Sequence, residues 1–446
     1  MRSLRILFLA MSGVRVEDPE LLALGLTLPG FVERSEVIAS LPSLGLLTLA
    51  ARCPPHWHIA YRECDQQPPD TIVEEIVKDG FQVVAISSLT ARILDAYGIA
   101  DGLRRSRVQV ILGGLHASAM PDEAAMHADA VVIGEGETCW NDIVSDLESG
   151  RLSQRYVSPR GGSSHFHSAP PPRYDLLDPA RYNRLTLQTT RGCPLACNFC
   201  AASRLISPYR RKSIPQVRRE LDAIRAVWKH PFIELADDNT FLDKSWSREL
   251  VKTLGEAGVR WFTETDISIA DDDTLLDELA ASGCAQLLIG LESARPRSLQ
   301  GLDARDWKRR QFDRYAEKVA RIQSRGISVN GCFILGFDTD DESIFAETLD
   351  FADTLELAEV QITLLTAFPG TELHRRLAAE GRLPRDPYWN RCTLFDLTFE
   401  PRGMSASSLR NGFRWLMQEI YSAERVRQRK RRFRDCVRAA RSSSPP

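Results

Sequence analysis

The 446-residue sequence has no run approaching the roughly 18 uncharged apolar residues of a membrane-spanning helix. It also lacks an excess of either charge. Lys and Arg number 57 against 60 Asp and Glu, a net charge of -3, so the chain as a whole is not an electrostatic nucleic-acid binder. No internal repeat is visible, which sets aside solenoids and propellers. A disulfide scaffold is excluded too, because such chains are short and secreted. The opening Met-Arg-Ser-Leu-Arg-Ile-Leu-Phe-Leu-Ala has leader-like charge but no small-residue cleavage site after it. It reads as a first buried strand, and a cytoplasmic location is expected. What is present is an ordinary globular balance, 43% hydrophobic and 26% charged, at a length suited to two or three domains.

Residues 1–150 alternate strand and helix patterns. Strand candidates are Leu4–Ala10, Val83–Ser87, Val108–Leu112 and Val131–Ile133, the last two running into Gly113-Gly114 and Gly134-Glu135-Gly136-Glu137. Helical patterns fall at Leu41–Ala51, with Pro42 suited to a first turn, at Asp70–Lys78 and at Ala91–Leu103. The order predicts a Rossmann-like, doubly wound parallel sheet with its ligand crevice at the glycine loops. Residues 151–183, with Gly161-Gly162-Ser163-Ser164 and Pro170-Pro171-Pro172, are a linker by composition.

A second βα series occupies 184–375. Its strand candidates are Leu185–Thr189, Phe232–Leu235, Trp261–Thr265, Gln286–Ile289, Ser328–Leu335 and Val360–Leu365. Amphipathic helices fall between them at Ile214–Trp228, Ser245–Ala257, Asp272–Ser282, Asp306–Ser324 and Glu342–Thr354. Six such steps predict a partial (β/α)6 barrel of the TIM type, with its chemistry on loops at the carboxyl ends of the strands. Residues 376–446 read as a helical C-terminal extension. Its run Arg425–Arg441, nine basic residues and one acid, reads as a solvated helix rather than a nucleic-acid contact.

Seven of the ten cysteines are scattered singly, but Cys193-Pro-Leu-Ala-Cys197-Asn-Phe-Cys200 follows the first strand of the barrel. Scattered thiols are normally small core residues, the default for Cys284 and Cys332. Cys392 is a candidate for contact with substrate. Three thiolates on one loop can each bind one iron of a 4Fe–4S cubane, leaving the fourth iron open. A structural zinc site would need a closed set of four ligands, and no partner pair exists.

The Cys-x3-Cys-x-Phe-Cys spacing resembles the signature of the radical S-adenosylmethionine (SAM) superfamily. That resemblance implies that SAM chelates the open iron, that one electron cleaves its sulfonium, and that Phe199 lies beside the adenine. Ala236-Asp237-Asp238-Asn239 resembles the form that the branch with an N-terminal cobalamin-binding-type domain carries at the second strand, implying that Asp237, Asp238 and Asn239 meet the cofactor's ammonium. Gly290-Leu291-Glu292-Ser293 resembles the family's fourth-strand acidic position, giving Glu292 and Ser293. Gly331 and Gly336 match the fifth-strand segment lining the adenine, and Pro369-Gly370-Thr371 the closing turn.

The N-terminal domain resembles the cobalamin-binding fold of the same branch at Ser40–Gly45, Ser87-Ser88-Leu89-Thr90, Gly113-Gly114-Leu115-His116 and Gly134–Glu137. Ser88, Gly113, Gly114 and Gly134 are thus candidate cofactor contacts. No Asp-x-His-x-x-Gly string is present to ligate cobalt from below, and His116 is an alternative contact. The resemblance implies a radical enzyme acting on a small molecule, by cobalamin-dependent methyl transfer. Rearrangement, cyclisation, oxidation or transfer of another SAM fragment is the alternative. An electron donor such as flavodoxin or ferredoxin is the expected partner. A non-catalytic iron–sulfur carrier would need neither barrel nor open iron, and no RNA-binding module is evident.

Overall fold

The computed structural model describes residues 3–25, 41–159, 166, 169–201 and 208–443; Ser40 and Gly161–Ser164 lie outside them. The first sheet is built from β1 (Arg5–Met11), β2 (His58–Cys64), β3 (Val83–Ser88), β4 (Gln109–Gly113), β5 (Ala130–Ile133) and β6 (Arg155–Val157). All neighbours are parallel in the order β2-β1-β3-β4-β5-β6. The order reverses beside β1, so this is the doubly wound sheet expected. Its central strands are buried on both faces, β1 almost throughout, which is why they read as continuous apolar runs.

Three features of this half depart from expectation. β2 was not anticipated, because it is a half-exposed edge strand without a clean apolar alternation. β6 lies within the segment that reads as a linker and pairs with β5 at Val131, Val132 and Ile133. The helix expected from Leu41 begins only at Leu44, with Ser43 at its N-cap position, so Pro42 precedes the helix instead of opening it.

The second sheet uses β7 (Leu185–Leu187), β10 (Phe232–Leu235), β11 (Arg260–Thr265), β12 (Cys284–Glu292), β13 (Ser328–Leu335) and β14 (Glu359–Leu364). They run in chain order and in parallel, the six-stranded partial barrel expected. A short antiparallel ribbon, β8 (Thr190–Arg191) with β9 (Arg210–Arg211), stands beside it. The helices follow from their patterns. Lys244–Ala257 starts at Asp243, whose carboxylate accepts from Trp246 N–H, ends at Gly258 with φ 64°, and buries Trp246, Leu250, Val251 and Leu254 on one face. The predicted helix Asp306–Ser324 is broken into Trp307–Gln311, a 3₁₀ turn and Tyr315–Gln323.

The C-terminal extension is more integrated than a tail. Ala406–Ile420 buries Leu409, Phe413, Leu416, Met417 and Ile420 in the barrel's outer core. The basic helix Ala423–Ser443 follows it. Within the extension, Tyr388, Trp389 and Cys392 join the core of the N-terminal sheet, with Leu9, Ile86 and Tyr97.

Candidate active site

The ribbon β8–β9 forms the stem of the loop that carries the three cysteines. The loop is fastened to the barrel by backbone bonds: Asn198 N–H to Leu302 O at 3.0 Å, Ala304 N–H to Leu195 O at 2.9 Å, and Leu373 N–H to Asn198 O at 3.0 Å. Cys197 is buried and Cys193 and Cys200 are half-buried. Burial pushes the Cys193 thiol up, and that of Cys197 up to about 12, so binding a metal centre must release protons. Among the described residues, no three Cys, His, Asp or Glu side chains converge on a single ion position. Three thiols on one loop can each take a different iron of a polynuclear cluster. Phe199 packs half-buried against the barrel core.

The acidic strand end after β10 divides its labour. Asp237 uses both carboxylate oxygens within the chain: Oδ1 accepts from the N–H of Thr189 at 2.6 Å and of Thr190 at 2.8 Å, and Oδ2 from the hydroxyls of Thr189 and Thr240. It is a strut under the root of the cysteine loop. Burial pushes its carboxyl up to about 6, against those four bonds. Asp238 accepts from Gly192 N–H at 2.6 Å. Asn239 donates to Asp266 Oδ2 at 2.8 Å and faces Cys193 Sγ at 3.8 Å.

Glu292 ends β12 at φ 66°, a left-handed conformation rarely taken by a non-glycine residue. Its carboxylate accepts from Lys308 Nζ at 2.8 Å, and the same ammonium donates to Gly290 O at 2.7 Å. Burial would discharge Lys308, but Glu292 outweighs it and holds the ammonium well above its ordinary value. Ser293 is a turn residue whose hydroxyl accepts from Arg295 N–H at 3.1 Å. At Gly331 a Cβ would lie 2.6 Å from a terminal carbon of Leu357 and 3.0 Å from one of Leu291, so those side chains close over it. Gly336 turns the chain after β13 at φ 102°.

Sequence reading missed Glu264. It sits on β11 among Glu234, Asp238, Asp237 and Glu292; its side chain is open to solvent, yet desolvation by the surrounding wall and, after it, those carboxylates push it up to about 8. Alternation along β11 near its carboxyl end was the available signal. Asn330 on β13 is fully buried with neither amide atom partnered in the protein, and Gln361 Oε1 is likewise unpartnered.

Between the two sheets lies a cavity of about 330 Å³. Gly113, Gly114 and Gly134 line it, as does Ser87; the Ser88 hydroxyl donates to Leu89 O. Gly114, at φ 103°, brings its backbone so close that a Cβ would sit 3.2 Å from Ser87 Oγ. Leu49, Ile86, Ile111 and Val132 make the wall apolar; Gln188, Arg191, Ala236 and Asp238 close it from the barrel side. Bare glycine loops and an apolar wall are what a large flat cofactor requires. His116 does not reach this cavity. It is fully buried, bonded to Thr90 Oγ1 and Glu123 Oε1 at 3.4 Å each and edge-on to Trp389 at 5.1 Å. Cys392 is buried in the core of the N-terminal domain, away from the barrel interior.

The fold and this two-sided site define a class: a sheet domain with a cofactor crevice, docked on a barrel with a three-cysteine loop. Known families match these parts: B12 binding domain over 35–144, Radical SAM superfamily over 187–352, and a domain of unknown function, DUF4070, over 371–446. The chain belongs to the radical SAM enzymes of the branch with an N-terminal cobalamin-binding-type domain, whose cofactors are a 4Fe–4S cluster, SAM and cobalamin. It is 27% identical over 392 residues to bacteriochlorophyllide d C-12(1)-methyltransferase of Chlorobaculum tepidum, covering 86% of this chain and 84% of that one. To hopanoid C-2 methylase of Rhodopseudomonas palustris it is 25% identical, covering 79% and 67%. In fold it is similar to the radical SAM methyltransferase TsrM from Kitasatospora setae, solved with cobalamin and a [4Fe-4S] cluster, at a TM-score of 0.70, with 15% identity and coverage of 99% and 100%. The cobalamin-dependent radical SAM enzyme OxsB gives a TM-score of 0.66 at 14% identity, covering 89% of this chain and 64% of that one.

Proposed function

We propose that this enzyme transfers a methyl group to an unactivated carbon of a small molecule, with Cys193, Cys197 and Cys200 each holding one iron and SAM taking the fourth. When bound, the cluster supplies one electron for reductive cleavage of SAM, and cobalamin supplies the methyl group. The observation that carries this reading is the single cavity bounded both by the glycine loops of the first sheet and by Gln188, Ala236 and Asp238 at the barrel mouth. It lets two cofactors face one substrate. The methyltransferase names of relatives at 27% and 25% identity support methyl transfer as the outcome.

The chain's own residues position and shield. Asp237 and Asp238 hold the root of the cysteine loop, Asn239 lends a hydrogen bond to Cys193, and Lys308 fixes Glu292 at the mouth. Glu264, Asn330 and Gln361 give the barrel interior polar groups for a polar part of the substrate. A small redox protein such as flavodoxin or ferredoxin delivers the electron, in the cytoplasm. Residues 1–150 serve as the cobalamin domain, 184–375 as the barrel and 376–446 as the extension.

The test is anaerobic reconstitution with iron, sulfide and cobalamin, then SAM and dithionite. Corrin uptake with formation of 5′-deoxyadenosine and of methylated corrin is expected. 5′-Deoxyadenosine without corrin uptake would overturn methyl transfer in favour of a cobalamin-independent rearrangement, cyclisation or oxidation.

A further inference from the structure

Arg191 and Arg210 stand directly opposite each other in the β8–β9 ribbon. Like charges in that position repel, yet these two residues frame the loop that carries all three clustered cysteines. The conflict is resolved from the other domain. Glu135, in the turn after β5, pairs with Arg210 through Oε1 and with Arg191 through Oε2 at 3.3 Å. Two residues on, Glu137 pairs with Arg191 Nη2 at 2.8 Å. Gln188 Oε1 accepts from Arg191 Nε at 3.1 Å and Nη2 at 2.7 Å, and the guanidinium lies 4.8 Å from the centre of the Phe166 ring. Glu135, Glu137, Gln188 and Arg191 all line the interdomain cavity, and the residue after Arg191, Gly192, is the one held by Asp238.

Buried ion pairs add little net stability, because desolvation offsets their attraction; their best-attested use is to select one register. A planar fork shared between two carboxylates is well suited to that use. We propose that Arg191 is a positioning residue: with Glu135 and Glu137 it clamps the stem of the cysteine loop to the Gly134–Glu137 turn, and so fixes the separation between the cluster and the corrin. This rests on the assignment of both cofactors under the proposed function. The clamp touches no reacting atom. It keeps two cofactors carried by different domains at one distance while substrate enters and leaves.

The experiment uses the full chain loaded with iron–sulfur cluster and cob(II)alamin and reduced so that both are paramagnetic. Dipolar electron paramagnetic resonance then reads the distribution of distances between them. The wild type should give one narrow distance. Arg191→Gln should widen the distribution at least twofold with iron and corrin per chain unchanged, and Arg191→Lys, which keeps the charge but not the fork, should fall between. If Arg191→Gln loses iron or corrin, Glu137→Gln, which leaves Arg191 bonded to Glu135, is read by the same criterion. A distribution of wild-type width in a loaded variant overturns the clamp alone. A wild type that takes up cluster but no corrin overturns the proposed function, and the clamp with it.

Discussion

The amide of Asn239 serves two partners, donating to Asp266 Oδ2 at 2.8 Å and facing Cys193 Sγ at 3.8 Å. Asp266 N–H and the Thr265 hydroxyl donate to its carbonyl oxygen, so the amide is held from behind. A hydrogen bond to a cluster thiolate stabilises the reduced, more negative state. Asn239→Ala should therefore lower the cluster potential by on the order of 50 mV, equivalent to about 1 kcal/mol for a one-electron couple. A redox titration followed by electron paramagnetic resonance measures it, and an unchanged potential would show that the sulfur contact is idle.

The three cysteines of the loop should separate cleanly from the rest. Cys193→Ala, Cys197→Ala and Cys200→Ala should each abolish or sharply reduce bound iron while far-ultraviolet circular dichroism stays at the wild-type level. Cys284→Ala and Cys332→Ala should bind the full complement. Iron and sulfide analysis of reconstituted protein decides it.

Asp237→Ala changes no thiol, yet it should weaken iron binding. The buried N–H groups of Thr189 and Thr190 lose their acceptor, at a cost of about 1–3 kcal/mol. The thermal midpoint should drop by several degrees, and iron should be lost faster to a chelator. Wild-type values for both would remove Asp237 as a strut.

Glu264 gives a pH dependence of defined sign. Partial desolvation at a solvent-open position and the neighbouring carboxylates raise it from 4.5 to about 8, so between those values the folded protein holds a proton that the unfolded chain releases. Stability contributed by this group is present below about pH 4.5 and is lost as pH rises through about 8. In Glu264→Gln that loss vanishes, and the variant's urea midpoint should gain on the wild type steadily from pH 5 to 8. A constant difference across that range would count against the raised carboxyl.

Sequence patterns recovered the barrel strands closely because each is a short apolar run between amphipathic helices, Phe232–Leu235 and Ser328–Leu335 to the residue. β2 and β6 escaped because edge strands bury little and need no strong pattern. In the site, the cysteine spacing was legible since all its ligands are local. Arg191 was not, because its partners Glu135 and Glu137 lie more than 50 residues away and sequence offers no signal for an ion pair between domains. Asp237 was legible as an acid, but a motif names a side chain and not the donors around it. Gly331 was legible from its motif, while its contact with Leu357 was not.

Tyr388, Trp389 and Cys392 complete the core of a sheet whose last strand ends at Val157, with Trp389 Nε1 donating to Glu123 at 3.1 Å. A ribosome adding about 5–20 residues per second takes on the order of tens of seconds to cover that interval. Throughout it, the first domain is already made while a slot in its core is still unfilled. Biosynthesis therefore sets an order of maturation: the barrel is made inside that wait, and the core of the first domain is completed only after the polypeptide has returned to the domain with which it began.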